Sequence, residues 1–172
     1  MLRNTTTLQA VLINVLLMAL WHFSMFIACI TASKSLFRPN RPLYQQRSWE
    51  RNGRWYSDKL HIKKWKDHLP IHTGKGGFDK SHMDGKTIEY VDEFIFETCR
   101  GEWDHWMNCL FVIVALIINP LFLGLIVAAV TLLCNLPFIA IQRYNRFRLQ
   151  TLRKHILREM ERAGAAHEQV MA

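Results

Sequence analysis

Residues 106–142 of this 172-residue chain read WMNCLFVIVALIINPLFLGLIVAAVTLLCNLPFIAIQ, without any Asp, Glu, Lys or Arg. The stretch is too long for one membrane-spanning helix, which needs about 20 residues. Asn119-Pro120 interrupts it, and Asn is a good N-cap while Pro fits the first turn of a new helix. We therefore predict a transmembrane hairpin over 101–142, whose two arms cover about Gly101–Ile118 and Pro120–Ile141.

Residues 4–33 form a second stretch without these charged residues. Its apolar part, Leu8–Ile30, is long enough to cross a hydrocarbon core about 30 Å thick at about 1.5 Å per residue. It predicts a transmembrane helix over 8–32. A cleaved signal peptide is the alternative, because Thr31-Ala32-Ser33 offers small residues at a plausible cleavage site. The long apolar core and the basic residues just downstream favour the retained helix.

All 22 basic and 14 acidic residues lie outside these two stretches. An ordinary soluble domain interleaves charged and apolar residues, and a disordered chain has low hydrophobicity throughout. Half of this chain is hydrophobic, so neither class fits. The sequence predicts an all-α membrane protein that forms a single domain over 1–172. The net charge of +8 suits attraction to anionic lipid, and no nucleic-acid partner is predicted.

The charges that flank the apolar stretches predict the orientation. Only Arg3 precedes the first helix, whereas six basic residues follow it within 34–54 and seven follow the hairpin within 143–162. Cytoplasmic flanks collect Lys and Arg, so we predict three spans with the N-terminus outside and the C-terminus in the cytoplasm. Residues 34–100 then form a cytosolic interfacial segment. Residues 143–172 form a basic amphipathic tail on the inner leaflet, with its apolar side made by Leu149, Leu152, Ile156 and Met160.

Trp55–Leu69 is predicted to form a short interfacial helix. It should end before Pro70, because a residue that precedes proline is pushed out of the helical region. Its lysines are either solvated beside tryptophan anchors or hold an anionic acyl carrier or headgroup. The Gly-Lys-Gly-Gly sequence within His72–Gly77 lacks the strand and helix that flank a phosphate-binding P-loop. We therefore predict a plain loop there.

Histidine and cysteine are present, but their spacing does not indicate a metal site. Pro70 breaks any helical register among the histidines of this segment, which are His61, His68, His72 and His82. No C-x-x-C pair occurs, and the cysteines are interpreted as small core residues: Cys29, Cys99, Cys109 and Cys134. We predict neither a metal nor a cofactor.

Residues 88–106 carry ionisable side chains on two sides of a predicted helix that leads into the first hairpin arm. Such groups cannot all face acyl chains without cost, so at least one side should meet protein, water or substrate. Glu97 and Arg100 are three residues apart and can pair. Glu102 and His105 have the same spacing. This carboxylate could orient the imidazole as a general base, or the contact could be purely structural.

The two predicted arms bring further polar residues to the same end of the hairpin. Pairing the arms about the predicted turn places His105 near the level of Cys134 and Asn135. It also places Glu97 at the level of Gln142 and Arg143. Convergence of polar groups at a membrane mouth is a functional-site hypothesis by default.

Three blocks of sequence carry a family resemblance. They are Ile62–Asp67 (IKKWKD), Glu97–Trp106 (ETCRGEWDHW), and Asn135–Pro137 leading into Gln142–Arg146 (QRYNR). Together they resemble the glycosyl-4,4'-diaponeurosporenoate acyltransferase family of bacterial carotenoid biosynthesis. The resemblance implies an enzyme of the bacterial cell membrane that esterifies a glucose hydroxyl of a glycosylated carotenoid with a fatty acid, completing a staphyloxanthin-type pigment.

For this reaction we expect His105 to remove the hydroxyl proton while Glu102 orients its imidazole. Arg100, or Arg143 with Asn145, would stabilise the developing oxyanion. The other expected substrate contacts are Glu97, Asn135, Gln142, Lys64, Trp65, Lys66 and Asp67. The lysines would attract an anionic acyl donor such as acyl-CoA or acyl carrier protein.

Two other functions stay open on the sequence alone. One is a non-catalytic membrane partner that organises a complex of a lipid or carotenoid pathway. The other is a different small membrane transferase, such as a methyltransferase that acts on a lipid. Dependence on the donor separates these alternatives.

Overall fold

The computed structural model describes residue 2, residues 5–69 and residues 87–171, with side chains up to residue 165. These residues form helices, turns and irregular segments, and no strand occurs among them. The α-helices in this part of the chain are α1 (Thr7–Thr31), α2 (Arg54–Asp58), α3 (Ile62–Trp65), α4 (Ile88–Cys109), α5 (Phe111–Ile118) and α6 (Leu121–Met171). The all-α prediction is confirmed. The loop predicted over 72–77 lies outside the described residues.

Three helical segments are long and apolar enough to cross a membrane: Thr7–Thr31, Ile88–Ile118 and Leu121–Ala165. They correspond to the predicted first helix and to the two predicted arms. The chain forms two compact units. Unit 1 comprises Met1–Arg38 and Arg100–Gln142, and unit 2 comprises Pro39–Cys99 and Arg143–Ala172.

In unit 1, α1 is joined to the hairpin by a reciprocal pair of carboxamides. Asn14 and Asn119 each donate from Nδ2 to Oδ1 of the other residue, at 2.8 Å in both directions. Both side chains are buried. The turn predicted at Asn119-Pro120 is confirmed, but the N-cap role predicted for Asn119 is wrong. Asn119 follows the last residue of α5, and its side chain bonds to α1 instead of the first turn of α6.

The first hairpin arm is two helices rather than one. α4 ends at Cys109 and α5 begins at Phe111. Around Leu110 the main chain tightens, because the Leu110 amide donates to the Met107 carbonyl and the Ile113 amide donates to the Leu110 carbonyl. These are three-residue steps typical of a 3₁₀ turn. The chain continues in the same span, so the predicted arm is confirmed with this local change.

The two arms approach closely at Gly124. A Cβ added there would lie 3.1 Å from the Ala115 carbonyl oxygen and 3.3 Å from the Cα of Leu116. These are main-chain atoms and cannot rotate away, so only glycine allows this approach without a shift of the helices. Small residues at such crossings are typical of membrane helices. Phe111, Ala115 and Val127 form the adjacent core, against which Leu17, Met18 and Trp21 of α1 pack.

In unit 2, the helix predicted over Trp55–Leu69 is wrong in its continuity. α2 ends at Asp58 and α3 begins at Ile62, with a separate 3₁₀ turn over Lys66–His68. His61 has φ 47° and ψ 37°, the left-handed conformation, which an α-helix cannot include. Ile62 is fully buried directly after this bend.

The basic tail is helical as predicted, but its apolar side meets protein. Leu149 is buried with Val91 and Ile95 of α4, and Leu152 and Ile156 pack against the same cluster. The periodicity of an amphipathic helix is the same whether its apolar face covers lipid or another helix. These three residues pack on α4, and the placement of the tail on the inner leaflet stays a prediction. Met160 is exposed.

Candidate functional site

His105 lies on α4 in unit 1 and contacts the opposite arm of the hairpin. Its Nδ1 is 3.0 Å from Oδ1 of Asn135 on α6. Asn135 is buried, and His105 is half-buried. The prediction that these two residues lie at the same level is therefore confirmed.

The second bond of Asn135 determines which imidazole nitrogen carries a proton. Nδ2 of Asn135 donates to the main-chain oxygen of Thr131 at 2.9 Å, and a carbonyl oxygen can only accept. Oδ1 therefore faces His105, so the Nδ1–H of the imidazole is the donor. In the neutral ring the lone pair then lies on Nε2, so Nε2 is the nitrogen that can accept a proton as a general base.

Phe138 holds the plane of the imidazole. Its ring stacks on that of His105 with centroids 4.9 Å apart and planes 14° apart. Phe138 lies three residues after Asn135, so one face of α6 supplies both contacts. Sequence reasoning did not include Phe138, because one aromatic residue within an apolar run carries no distinct signal.

Glu102 is fully buried in unit 1. Its Oε1 accepts a hydrogen bond from Nε1 of Trp106, one helical turn further on, at 3.3 Å. The Nδ1 atom of His105 is held by Asn135. The orienting role that the spacing suggested for Glu102 is thus performed at Nδ1 by Asn135, whereas Glu102 places a carboxyl group inside the same unit.

A further polar group lies beside His105. Nδ2 of Asn108 donates to Oδ2 of Asp104 at 3.3 Å, and His22 of α1 interacts electrostatically with Asp104 and with His105. Two buried oxygens, Oδ1 of Asp104 and Oδ1 of Asn108, have no hydrogen-bond partner within the described part of the chain. Buried acceptors without a partner are costly. Their lone pairs are available to accept hydrogen bonds.

The sequence contained a signal for this group that counting charges did not detect. His22 is an ionisable residue within an otherwise apolar span, and such residues are rare unless they face a protein interior or a polar cavity. His22 is not detected when an apolar span is defined only by the absence of Asp, Glu, Lys and Arg. Asp104 and Asn108 lie four residues apart, a spacing that puts them on one face of α4.

Gln142 lies against Gly101 across the hairpin. A Cβ added at Gly101 would be 2.8 Å from Nε2 of Gln142, so the glycine makes room for the amide. Arg100 is half-buried, and its carbonyl oxygen accepts a weak hydrogen bond from the Cys29 thiol at 3.8 Å. Unit 1 therefore contains these members of the predicted site: Arg100, Glu102, His105, Asn135 and Gln142.

Arg143 belongs to unit 2, where a buried carboxylate binds it. Its Nε donates to Oε1 of Glu50 at 2.6 Å and its Nη2 donates to Oε2 at 2.8 Å. It also donates to the carbonyl oxygens of Leu43 and Gln45, at 3.0 and 2.9 Å. A guanidinium has five N–H donors, so this fork is largely occupied by structural bonds. Arg143 is for this reason a poor candidate for oxyanion stabilisation.

Glu50 is the buried partner of Arg143, and sequence reasoning did not find it. It is fully buried and also accepts a bond of 2.5 Å from the Tyr56 hydroxyl. Burial acts to raise the pKa of Glu50. The hydrogen bonds from Arg143, Tyr56 and the Arg47 amide, together with the charge of Arg143, lower it by more than burial raises it. The net pKa of Glu50 is below its ordinary value. Burial and the bond to Glu50 raise the pKa of Tyr56.

The rest of the Gln142–Arg146 block is also packed into the protein. Arg146 is fully buried, with its guanidinium 5.4 Å from the ring centroid of Tyr44 and 5.8 Å from that of Phe147. Asn145 is half-buried in the same unit. Much of this block's distinctive sequence thus serves the structure of unit 2.

The Ile62–Asp67 block presents charge at the surface of unit 2. Lys64 and Asp67 are exposed, and Lys66 pairs with Asp67. Nε1 of Trp65 donates to the Leu60 carbonyl oxygen at 2.8 Å. These substrate contacts, and that of half-buried Glu97, stay predictions.

Among the described residues, no three His, Cys, Asp or Glu side chains are grouped as metal ligands. His72 and His82 lie outside these residues. The four cysteines form no disulfide among the described residues, and Cys29, Cys99 and Cys109 are buried as interpreted from the sequence. Cys134 is exposed on α6, so its interpretation as a core residue is wrong.

Comparison with known proteins identifies the family. Residues 40–155 match the family model described as glycosyl-4,4'-diaponeurosporenoate acyltransferase. A protein of that name from Staphylococcus aureus strain MRSA252 is 31% identical over 136 residues, which cover 77% of this chain and 78% of the relative. The proteins of the same name from strains bovine RF122 / ET3-1 and USA300 are 29% identical over the same shares. No solved structure matches. The matched residues include parts of both units, and the chain belongs to the glycosyl-4,4'-diaponeurosporenoate acyltransferase family.

Proposed function

We propose that the protein transfers a fatty acyl group from a thioester donor to a sugar hydroxyl of a glycosylated carotenoid, with His105 as the general base. The observation that carries this proposal is the bond from Nδ1 of His105 to Asn135. It leaves Nε2 as the basic nitrogen in a family of acyltransferases. The names of the relatives support the glycosylated acceptor.

The reaction needs one proton acceptor and one oxyanion stabiliser. As the sugar oxygen attacks the thioester carbon, its proton passes to Nε2 of His105. A C–O bond forms, and the carbonyl oxygen becomes negative in the tetrahedral intermediate. When the C–S bond breaks, the thiolate leaves and takes the proton back from the imidazolium. The products are the ester and the free thiol.

The charged groups of unit 1 have separate roles in this proposal. Arg100 stabilises the developing oxyanion. Asp104 is the carboxylate that interacts electrostatically with His105, and its negative charge favours the imidazolium that forms during the reaction. Glu102 supplies a second, buried carboxyl group in the unit that holds His105.

Asp104 and Asn108 would hold the sugar. Their Oδ1 atoms are buried acceptors without a partner among the described residues, and a sugar presents hydroxyl donors on neighbouring carbons. Satisfying two buried acceptors at once favours a polyhydroxylated acceptor over a simple alcohol. The acceptor would need a second hydroxyl, next to the one that reacts, to donate a hydrogen bond to one of these oxygens.

We further place the N-terminus outside the bacterial cell membrane and the tail in the cytoplasm. The excess of basic residues after α1 and after the hairpin supports this orientation. In a background without native cysteines, Lys63→Cys should react with an impermeant thiol reagent only after the cells are opened, whereas Thr5→Cys should react in intact cells. Labelling of Lys63→Cys in intact cells would overturn the orientation.

The function is tested with purified protein in lipid vesicles. We expect it to esterify a glycosylated carotenoid with an acyl group from acyl-CoA or acyl carrier protein, and to leave the matching carotenoid without the sugar unmodified. Mass spectrometry of the product would detect the added acyl group. Activity with a methyl donor in place of the acyl donor would support the alternative transferase. A chain that binds the pathway enzymes but never turns over an acyl donor would be a non-catalytic partner.

A further inference from the structure

Unit 2 contains a groove of about 620 Å³ that is separate from the residues of unit 1 described above. Its volume is within the range of small-molecule sites, about 300–1,000 Å³. The walls come from the segment after Pro39, from α4 and from α6. The side chains of these walls determine which kind of molecule the groove can bind.

Four carboxamides line the groove: Asn40, Gln46, Asn52 and Gln150. Asn40, Gln46 and Asn52 are exposed and Gln150 is half-buried, and among the described residues their side-chain amides form no hydrogen bond. The hydroxyl of Thr151, also in the wall, donates to the Phe147 carbonyl oxygen at 2.9 Å and keeps its lone pairs for an incoming donor. Each carboxamide offers both a donor and an acceptor, which is the pattern that another amide group presents.

The position of Asn52 is determined by a tight bend. Arg51, Asn52 and Gly53 have successive positive φ angles of 49°, 55° and 83°. Left-handed conformations are unfavourable for residues with a side chain, although Asn tolerates them better than most. Glu50, just before the bend, is buried and bonded to Arg143. The bend is thus anchored, and Asn52 is part of a formed wall.

Apolar and charged groups complete the groove. Ile95 and Phe147 supply apolar surface beside the carboxamides. Arg153 is paired with Asp92, with an Nη2–Oδ2 distance of 3.1 Å, and exposed Lys154 adds a further positive charge. The lining therefore carries two positive charges and one negative charge, which favours an anionic ligand.

We infer that this groove binds the phosphopantetheine arm of the acyl donor, the part that acyl-CoA and acyl carrier protein share. The arm contains two amides, one hydroxyl, a pair of methyl groups and a phosphate. The carboxamides match its amides, Ile95 and Phe147 match its methyl groups, and Lys154 matches its phosphate. This inference rests on the proposed function, because it assigns the donor of that reaction.

Binding to the purified protein in detergent tests the inference without turnover. Calorimetry with 4'-phosphopantetheine and with coenzyme A should show binding that weakens as salt is added. Lys154→Glu and Gln150→Leu should each raise Kd about tenfold or more. Asn52→Gly keeps the positive φ and removes the amide, so it should raise Kd while the protein stays folded. Unchanged Kd values in all three variants, or no binding of either probe, would overturn the inference.

Arg162→Glu is the matched control. It is exposed on the same helix and lies about 12 Å from Lys154 along the axis, beyond the Debye length of about 8 Å at physiological salt. The Kd of Arg162→Glu should equal that of the wild type. If Arg162→Glu raised Kd as much as Lys154→Glu, the effect would come from the overall charge of the helix and not from a contact in the groove.

Acyl carrier proteins distinguish the two sources of the arm. Carrier with the arm should bind, and binding should compete with free phosphopantetheine, whereas carrier without the arm should not bind. Equal binding of both carriers would contradict recognition of the arm. Whichever binds more tightly, coenzyme A or the carrier with the arm, is identified as the donor. Either result supports the inference. His105→Ala should bind these probes normally, so a failure of the proposed base leaves this result unaffected.

Discussion

Replacing His105 by alanine is expected to lower kcat for acyl transfer by about 10²- to 10⁴-fold, the usual contribution of a positioned general base. Nε2 is the nitrogen of the neutral ring that carries the lone pair, because Nδ1 donates to Asn135. Without the imidazole, the sugar hydroxyl has no group in unit 1 assigned to remove its proton. Rates of ester formation at saturating donor, with the amount of protein in the membrane measured alongside, give the result.

Two further variants separate a catalytic role from a structural one. Asn135→Leu removes the acceptor at Nδ1 and should lower kcat less, about ten- to a hundredfold, as for other histidines whose second nitrogen is held by a partner. His155→Ala is the matched control, since His155 is exposed and pairs with Glu159 outside the site. Full activity in His105→Ala would exclude the base assignment. Loss of the protein from the membrane would make His105 a structural residue.

The sequence was sufficient to predict the hairpin and its register. A long stretch without Asp, Glu, Lys or Arg that has Asn-Pro in its middle limits the turn to one place, and antiparallel arms of equal rise then determine which residues face each other. His105 opposite Asn135 follows from that geometry alone. The environment of His22 could have been suspected for the same reason, because a histidine in an apolar span needs a polar neighbour.

The buried ion pair could not be predicted from spacing. Glu50 and Arg143 are far apart in sequence, and Glu50 lies in a segment rich in Arg, Pro and Gln where nothing distinguishes it from a surface residue. Only the folded chain shows that this carboxylate is fully buried. The left-handed bends at Arg51–Gly53 and at His61 were hidden for the same reason. Tertiary contacts, rather than local preference, stabilise such conformations.

Breaking the buried Glu50–Arg143 pair should destabilise the protein more than breaking an exposed pair. Two charges taken out of water are costly unless each finds its partner, and removing one of them leaves the other uncompensated. Arg143→Met should therefore destabilise the protein by about 3–5 kcal/mol. Arg153→Met breaks the exposed pair with Asp92, whose side chains are 39% and 45% exposed. It should cost about 1 kcal/mol or less.

Acidification should distinguish these variants further. The pKa of Glu50 is below its ordinary value of 4.5, so its contribution to wild-type stability is fully present above that pH and is lost as the pH falls through the lower folded pKa. In Arg143→Met the bonds and the charge of Arg143 are lost, whereas burial and the bonds from Tyr56 and the Arg47 amide remain, so the pKa of Glu50 should rise above its wild-type value. A buried carboxyl without its cation favours the neutral form, so the variant should lose stability relative to the wild type as the pH rises.

The destabilisation caused by Arg143→Met should consequently shrink as the pH is lowered towards 4, whereas that of Arg153→Met should stay small throughout. Thermal unfolding of the purified proteins in detergent, measured across this pH range, would show the converging midpoints. Glu50→Gln in the Arg143→Met background removes the charge that titrates, so its midpoint should lie above that of Arg143→Met at neutral pH and should follow pH less steeply. A pH-independent gap between wild type and Arg143→Met would mean that the charge of Glu50 does not cause the destabilisation, which would then come from the lost bonds of Arg143 to the Leu43 and Gln45 carbonyl oxygens.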